Sequence, residues 1–189
     1  MKKIILVNAS PRAKGNCVDA LNIIAENVKD AEVVLFDLNK KVVNPCKACN
    51  ACKMKENVFC VQKDDMSALL PELDACDALV VASPIYFGMV TAPAKAFLDR
   101  CYPFFNPTKP NMTIATKFGK KVAVITTAGS GPVDVYKKHG EDYCKFGVAG
   151  FTQSKVLSFN SAKCGPLGKI FADEAYAQEI KNLAAWLSE

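Results

Sequence analysis

Four cysteines have the types and spacing of metal ligands. Cys46-Lys47-Ala48-Cys49-Asn50-Ala51-Cys52 is followed, after seven further residues, by Cys60. Three thiolates this close together can wrap one face of a small metal–sulfur cube, and a fourth across a loop can close it. Bacterial ferredoxins use the same tight triple, though their fourth nearby cysteine serves another cluster. Structural zinc more often uses two separated pairs. The spacing points to a 4Fe-4S cluster on Cys46, Cys49, Cys52 and Cys60, with zinc ligation or free thiols as alternatives. Among the other cysteines of a total of nine, Cys76 and Cys101 fall on helical apolar faces and read as core. Cys144 and Cys164 have no assignment, and His139 has no catalytic partner in view.

A second stretch could hold an anion. Ser10-Pro11-Arg12-Ala13-Lys14-Gly15-Asn16-Cys17 follows the apolar run Ile4-Ile5-Leu6-Val7 and precedes an amphipathic segment. In a strand–loop–helix unit the helix N-terminus presents backbone N–H groups and the positive end of its dipole. Ser10 adds a hydroxyl, Arg12 a fork of donors, and Asn16 the side chain of an N-cap. The plainer alternative is an ordinary turn with a cap.

The order of the elements places these stretches. Strands are expected at Lys3–Val7, Glu32–Leu38, Ala78–Ala82, Lys121–Thr126 and Ser154–Phe159. Helices are expected at about Asn16–Val28, from Asp64-Asp65 through Cys76, at Ala92–Cys101, at Val133–Phe146, and from about Ala175 to Leu187. Pro71 should kink or split the second helix. The segment from Asn39 to about Lys63 and the excursion Tyr102–Gly119 lack clear periodicity. Alternating strands and helices predict a single α/β domain over residues 1–189, a doubly wound, five-stranded parallel sheet of order 2-1-3-4-5 with right-handed crossovers. The cysteine-rich loop is inserted at about 39–63.

Ligands of an open α/β sheet bind outside the carboxyl ends of the strands. Two more loops leave strands there. Pro84-Ile85-Tyr86-Phe87-Gly88, after Ser83, suits a flat apolar ligand with backbone groups at its edge. Thr127-Ala128-Gly129-Ser130-Gly131 is small enough for backbone to approach a ring closely. A phosphate at one end and a planar ring at the other describe FMN. The dinucleotide fingerprint G-x-G-x-x-G and the Gly-Lys-Ser/Thr of a Walker loop do not occur after the first strand. A receiver domain would need acidic residues where Asn8 and Ser83 stand. A small tyrosine phosphatase would need a Cys in place of Ser10.

The net charge of +5 comes from 24 basic and 19 acidic residues. The basic residues lie in scattered pairs such as Lys40-Lys41 and Lys137-Lys138, which argues for solvated surface and against a nucleic-acid stripe. Met1-Lys2-Lys3-Ile4 runs too soon into Asn8 and Pro11 for a signal peptide. The apolar stretch Ala78–Ala96 is broken by Ser83, Pro84, Gly88 and Pro93 and is not a membrane span. A cytoplasmic protein with no membrane or nucleic-acid partner is expected.

Ser10-Pro-Arg-x-x-Gly-Asn, Ser83-Pro-Ile-Tyr-Phe-Gly and Lys95-x-Phe-x-Asp99-Arg100 together resemble the NAD(P)H-dependent FMN reductase branch of the flavodoxin-like proteins. The resemblance covers nearly the whole chain, with the motifs in order. It implies that Ser10, Arg12, Lys14, Gly15, Asn16 and Cys17 surround the phosphate, and that Pro84–Gly88 and Thr127–Gly131 line the isoalloxazine. Such proteins usually carry Thr or Ser where Cys17 stands. The cysteine run after the second strand is similar to that of the iron–sulfur flavoproteins. Relatives often carry Gly within or just before it, where this chain has Ala48 and Asn57. That likeness implies FMN plus one cluster, a homodimer or homotetramer, and electron transfer between the centres with NAD(P)H or ferredoxin as partner. A reductase of flavins or quinones without a cluster, and a flavodoxin-like electron carrier, are the alternative functions. No side chain is assigned a catalytic role, because flavin N5 takes hydride directly.

Overall fold

A computed structural model of the chain describes residues 1–54, 59–105, 120–147, 151–160 and 173–189. Successive side chains of a strand point to opposite faces of the sheet, and here both faces are apolar. Ile5, Val7, Leu79, Val81, Val122 and Val124 form one face, and Ile4, Leu6, Val80, Ala82, Ala123 and Ile125 the other. A sheet apolar on both sides requires a helical cover on both.

The elements run β1 (Lys2–Asn8), α1 (Asn16–Asn27), β2 (Ala31–Asp37), α2 (Ala51–Met54), α3 (Asp65–Ala75), β3 (Ala78–Tyr86), β4 (Met89–Val90), α4 (Ala92–Arg100), a 3-10 turn (Tyr102–Phe104), β5 (Lys120–Ala128), α5 (Val133–Gly147), β6 (Phe151–Asn160) and α6 (Glu174–Ser188). Five strands pair in parallel in the order β2-β1-β3-β5-β6, which is the expected order of the five predicted strands. Met66, Leu69, Leu70 and Leu73 of α3 and Phe97 of α4 pack on the first face. Leu21 and Ile24 of α1 and Ile180, Leu183 and Leu187 of α6 pack on the second. Among the described residues no helix is long and apolar enough to cross a membrane.

Three local expectations differ from the structure. The loop expected at Ser83–Thr91 is mostly strand: β3 continues to Tyr86, pairing Pro84 with Thr127 of β5, and turns back into β4 as a short antiparallel hairpin. Pro84 disguises this, since proline reads as a strand breaker. Asn16 is the first residue of α1 and not its cap, which is Gly15. Helix α3 runs through Pro71 unbroken. Pro71 is exposed, so its ring projects to solvent and not into the core. Most of the Tyr102–Gly119 excursion, along with Asn57 and Cys164, lies outside the described residues.

Lys120 opens β5 at a slip in the β5–β6 register and is buried. Its ammonium donates to Leu73 O (2.9 Å) and to Asp74 O at the end of α3. A cation is favourable at a helix C-terminus, where carbonyls lack intrahelical partners. Lys120→Met strands these buried acceptors and should lower stability by about 1–3 kcal/mol, read as a lower urea midpoint at unchanged slope.

Candidate functional site

The loop after β1 is built from the end of the strand. The Asn8 side chain donates through Nδ2 to Asp37 Oδ1 on β2 (3.0 Å), and its Oδ1 accepts from the Ser10 amide (3.1 Å). The buried Ser10 hydroxyl accepts from the Arg12 amide (3.3 Å), and Asn39 donates to Ser10 O. Arg12 and Lys14 are exposed, Gly15 and Cys17 buried, and Asn16 half-buried. Asp64, Thr91 and Asp173 each cap their helix with a side chain, whereas α1 opens without a side-chain cap and its first intrahelical bond is Asp19 N to Gly15 O (3.0 Å). A helix N-terminus flanked by two free-standing cations is suited to an anion.

Two further strand ends are tied to this loop. Ala9 N donates to Ala82 O (2.9 Å). Thr91, between the hairpin and α4, donates its hydroxyl to Ala9 O (2.7 Å), caps Ala94 N, and gives its own amide to Ser83 Oγ (3.1 Å). Cys17 Sγ lies 3.4 Å from Thr127 Oγ1 at the end of β5. Burial pushes the Cys17 thiol up to about 12, against the hydrogen bond to Thr127, so it stays protonated at neutral pH. Its side chain is engaged with Thr127, which leaves the backbone as its contribution to the loop.

The other residues predicted to line the ring sit around these ties. Pro84 and Ile85 are half-buried; Tyr86, Phe87, Gly88 and Met89 stand out at the hairpin tip. Phe87 (φ 49°) and Gly88 (φ 78°) both take the left-handed backbone of a tight primed turn. Ala128 is buried, while Gly129, Ser130 and Gly131 are exposed. Tyr136 donates to Ser130 O (3.0 Å), and a Cβ on Gly131 (φ 94°) would collide with the Tyr136 hydroxyl.

Cys46, Cys49, Cys52 and Cys60 line one cavity, together with Arg100. The first two are exposed and the others half-buried. Ala48 (φ 50°) and Asn50 (φ 56°), on either side of Cys49, are both left-handed. That geometry curls the chain round and turns the Ala48 amide onto Cys46 Sγ (3.4 Å). Among the described residues no three His, Cys, Asp or Glu side chains converge to hold a single metal ion. Lys53, beside Cys52, donates to the carbonyls of Tyr102 (2.8 Å), Pro103 (3.1 Å) and Phe105. Burial raises the Cys52 thiol, with Lys53 opposing, and lowers Lys53.

The cavity also contains a feature that spacing does not reveal. Arg100 and Asp64 form an ion pair with both side chains about 1% exposed. Burial disfavours the Asp64 charge, but hydrogen bonds from Arg100, Asn44 and Ser67 prevail and hold its carboxyl well below the usual carboxylate range. With a lowered folded value, the pair contributes fully above roughly pH 4 and is lost only well below it. The sequence signals were Asp64 at a helix start and the terminal Arg100 of the third motif. Cys76 and Cys101 are core, as expected.

Residues 2–136 match the family model described as NADPH-dependent FMN reductase. The chain belongs to the NADPH-dependent FMN reductase family. Within it, the chain is 35% identical over 133 residues to an iron-sulfur flavoprotein of Methanocaldococcus jannaschii, covering 68% of this chain and 65% of that protein. It is 33% identical over 129 residues to an iron-sulfur flavoprotein of Archaeoglobus fulgidus, covering 67% and 56% respectively. The matched region thus spans about three fifths of these relatives. The fold of this family member superposes on an FMN-dependent NADH-azoreductase of Bacillus anthracis, solved in complex with FMN, with a TM-score of 0.70, 16% identity and full coverage of both chains. It superposes on an NADH:FMN oxidoreductase with a TM-score of 0.60 and 17% identity, covering 100% of this chain and 89% of that one.

Thr91→Val removes both the cap of α4 and the donor to Ala9 O. Stability should fall by about 1–3 kcal/mol in urea unfolding, with Thr91→Ser retaining most of it. A parent-like Thr91→Val would show that the hydroxyl does not tie the loops together.

Proposed function

We propose that this chain is a cytoplasmic oxidoreductase that binds FMN at the three tied strand ends and a 4Fe-4S cluster at the four cysteines. The observation that carries the FMN reading is the N-terminus of α1, whose cap residue is Gly15 and so brings no capping side chain of its own, with Arg12 and Lys14 exposed beside it. Backbone N–H groups of the Gly15–Cys17 turn, the Ser10 hydroxyl and the two cations would hold the phosphate. Pro84, Ile85 and the Tyr86-Phe87-Gly88 tip would border one side of the ring, and the Thr127–Gly131 backbone the other. The matches to flavin-dependent relatives support this assignment.

The cysteine cavity fits an anionic metal–sulfur group on three counts. Its donor set is four thiols, the Ala48 amide already donates to a cysteine sulfur, and a buried guanidinium lies against Cys60. The names of the relatives support the same reading. When bound, FMN supplies two-electron hydride chemistry with a nicotinamide donor, and the cluster supplies one-electron exchange with a partner such as ferredoxin. The chain contributes binding, orientation and shielding from water, with no side-chain acid or base. The exposed apolar tip of Tyr86, Phe87 and Met89 supports a homodimer or homotetramer joined at the flavin edge.

Protein purified without oxygen should release FMN, and not FAD, and contain iron and acid-labile sulfide. Iron-free protein that still oxidises NAD(P)H would be a plain flavin or quinone reductase. Arg12→Glu replaces a phosphate donor by a like charge and should weaken FMN retention by about ten- to a hundredfold; full retention would remove Arg12 from the phosphate site.

Cys49→Ala should lose iron and sulfide yet keep FMN and its reduction by a hydride donor. Stopped-flow with reduced ferredoxin reads the difference. Exchange at the parent rate in Cys49→Ala would show that the cysteine site is not the one-electron relay.

A further inference from the structure

Arg100 is a buried cation with several hydrogen-bond partners in the cysteine cavity. It ends α4 and is almost completely buried. A guanidinium has five N–H donors. The two on Nη1 reach Asn44 O (2.9 Å) and Asp64 Oδ2 (2.6 Å). Those on Nη2 face three acceptors: Asp64 Oδ1 (2.9 Å), Ser67 Oγ (3.3 Å) and Cys60 Sγ (3.5 Å). The remaining Nε–H is buried and has no hydrogen-bond partner. Asp64 fixes the fork from the start of α3, where it also caps Ser67 N (3.2 Å). The same guanidinium lines the cavity shared by the four cysteines. A buried cation whose Nε–H lacks an acceptor, and which touches the Cys60 sulfur, favours negative charge in that cavity.

We propose that Arg100, clamped by Asp64, is a positioning residue that orients Cys60 and raises the reduction potential of the group the four cysteines hold. The proposal rests on the cluster reading above. Reduction adds one electron with no bond made or broken, so the site becomes more negative by one charge. A fixed positive charge and a hydrogen bond to sulfur stabilise that reduced form more than the oxidised one. Asp64 offsets part of the charge while holding the fork in place.

Two variants separate tuning from scaffolding, because tuning requires them to shift the potential in opposite directions. Asp64→Asn keeps an N-cap residue but removes the offsetting carboxylate, so the potential should rise. Arg100→Met with Asp64→Asn removes the donor to Cys60 without stranding a buried carboxylate, so the potential should fall below the parent's. Each shift should be roughly tenfold in the one-electron equilibrium constant, about 59 mV. The measurement is an anaerobic redox titration of the FMN-loaded protein, following the paramagnetic signal of the reduced cluster, after iron and sulfide assays. Unmoved potentials, or shifts of both variants in one direction, overturn the proposal. If the double variant does not load iron, Asp64→Asn decides alone: a higher potential upholds the proposal, and an equal or lower one overturns it. A parent protein without iron and sulfide removes the cluster reading itself, and with it this proposal. A loaded parent with unresponsive variants removes only the role of Arg100.

Discussion

Parallel pairing is the constraint on which the rest of this structure depends. Because β2, β1, β3, β5 and β6 all run the same way, their carboxyl ends reach one edge, and every loop that leaves them starts from that edge. Residues as far apart in the chain as Ala9, Thr91 and Thr127 become neighbours there. The continuous apolar runs of the central strands need cover on both faces, and the helical crossovers that parallel pairing requires supply it.

The loops at that edge are tied to one another by side-chain hydrogen bonds. Asn39 donates to Ser10 O and Thr91 to Ala9 O, each a backbone group of another loop, while the Asn8 and Ser10 side chains hold the amides of Ser10 and Arg12 within their own loop. Buried polar groups must find partners, so the first two contacts order two segments at once. The result is an ordered surface ending at an exposed, left-handed hairpin tip at Phe87 and Gly88.

The cysteine segment follows a different logic. It leaves β2 beside the first loop, with Leu38 N on Asn8 O (3.0 Å), and then crosses to α3 and α4 through Asp64, Arg100 and Lys53. Breaking a buried ion pair by removing one partner costs about 3–5 kcal/mol, whereas a matched apolar replacement is often no less stable. Stability alone therefore does not explain why a charged pair stands beside four thiols. Its contact with Cys60 gives it a chemical reason to be there.

The sequence by itself determined the class of fold, the order of its strands and the identity of the candidate residues. Those follow from local periodicity, from the spacing of Cys46 to Cys60, and from the residues at strand ends, which are properties of short stretches. It misjudged places where tertiary pairing overrides a local signal: Pro84 lies in a strand because β5 is alongside it, Pro71 lies at an exposed position of an unbroken helix, and Gly15, not Asn16, caps α1. The tertiary structure alone decided which loops touch, that Cys17 turns to Thr127, and that Arg100 reaches both Asp64 and Cys60. Those contacts join residues between 36 and 110 positions apart, and no local pattern encodes them; they exist because α1, α3 and α4 must each pack onto the sheet to bury its two apolar faces.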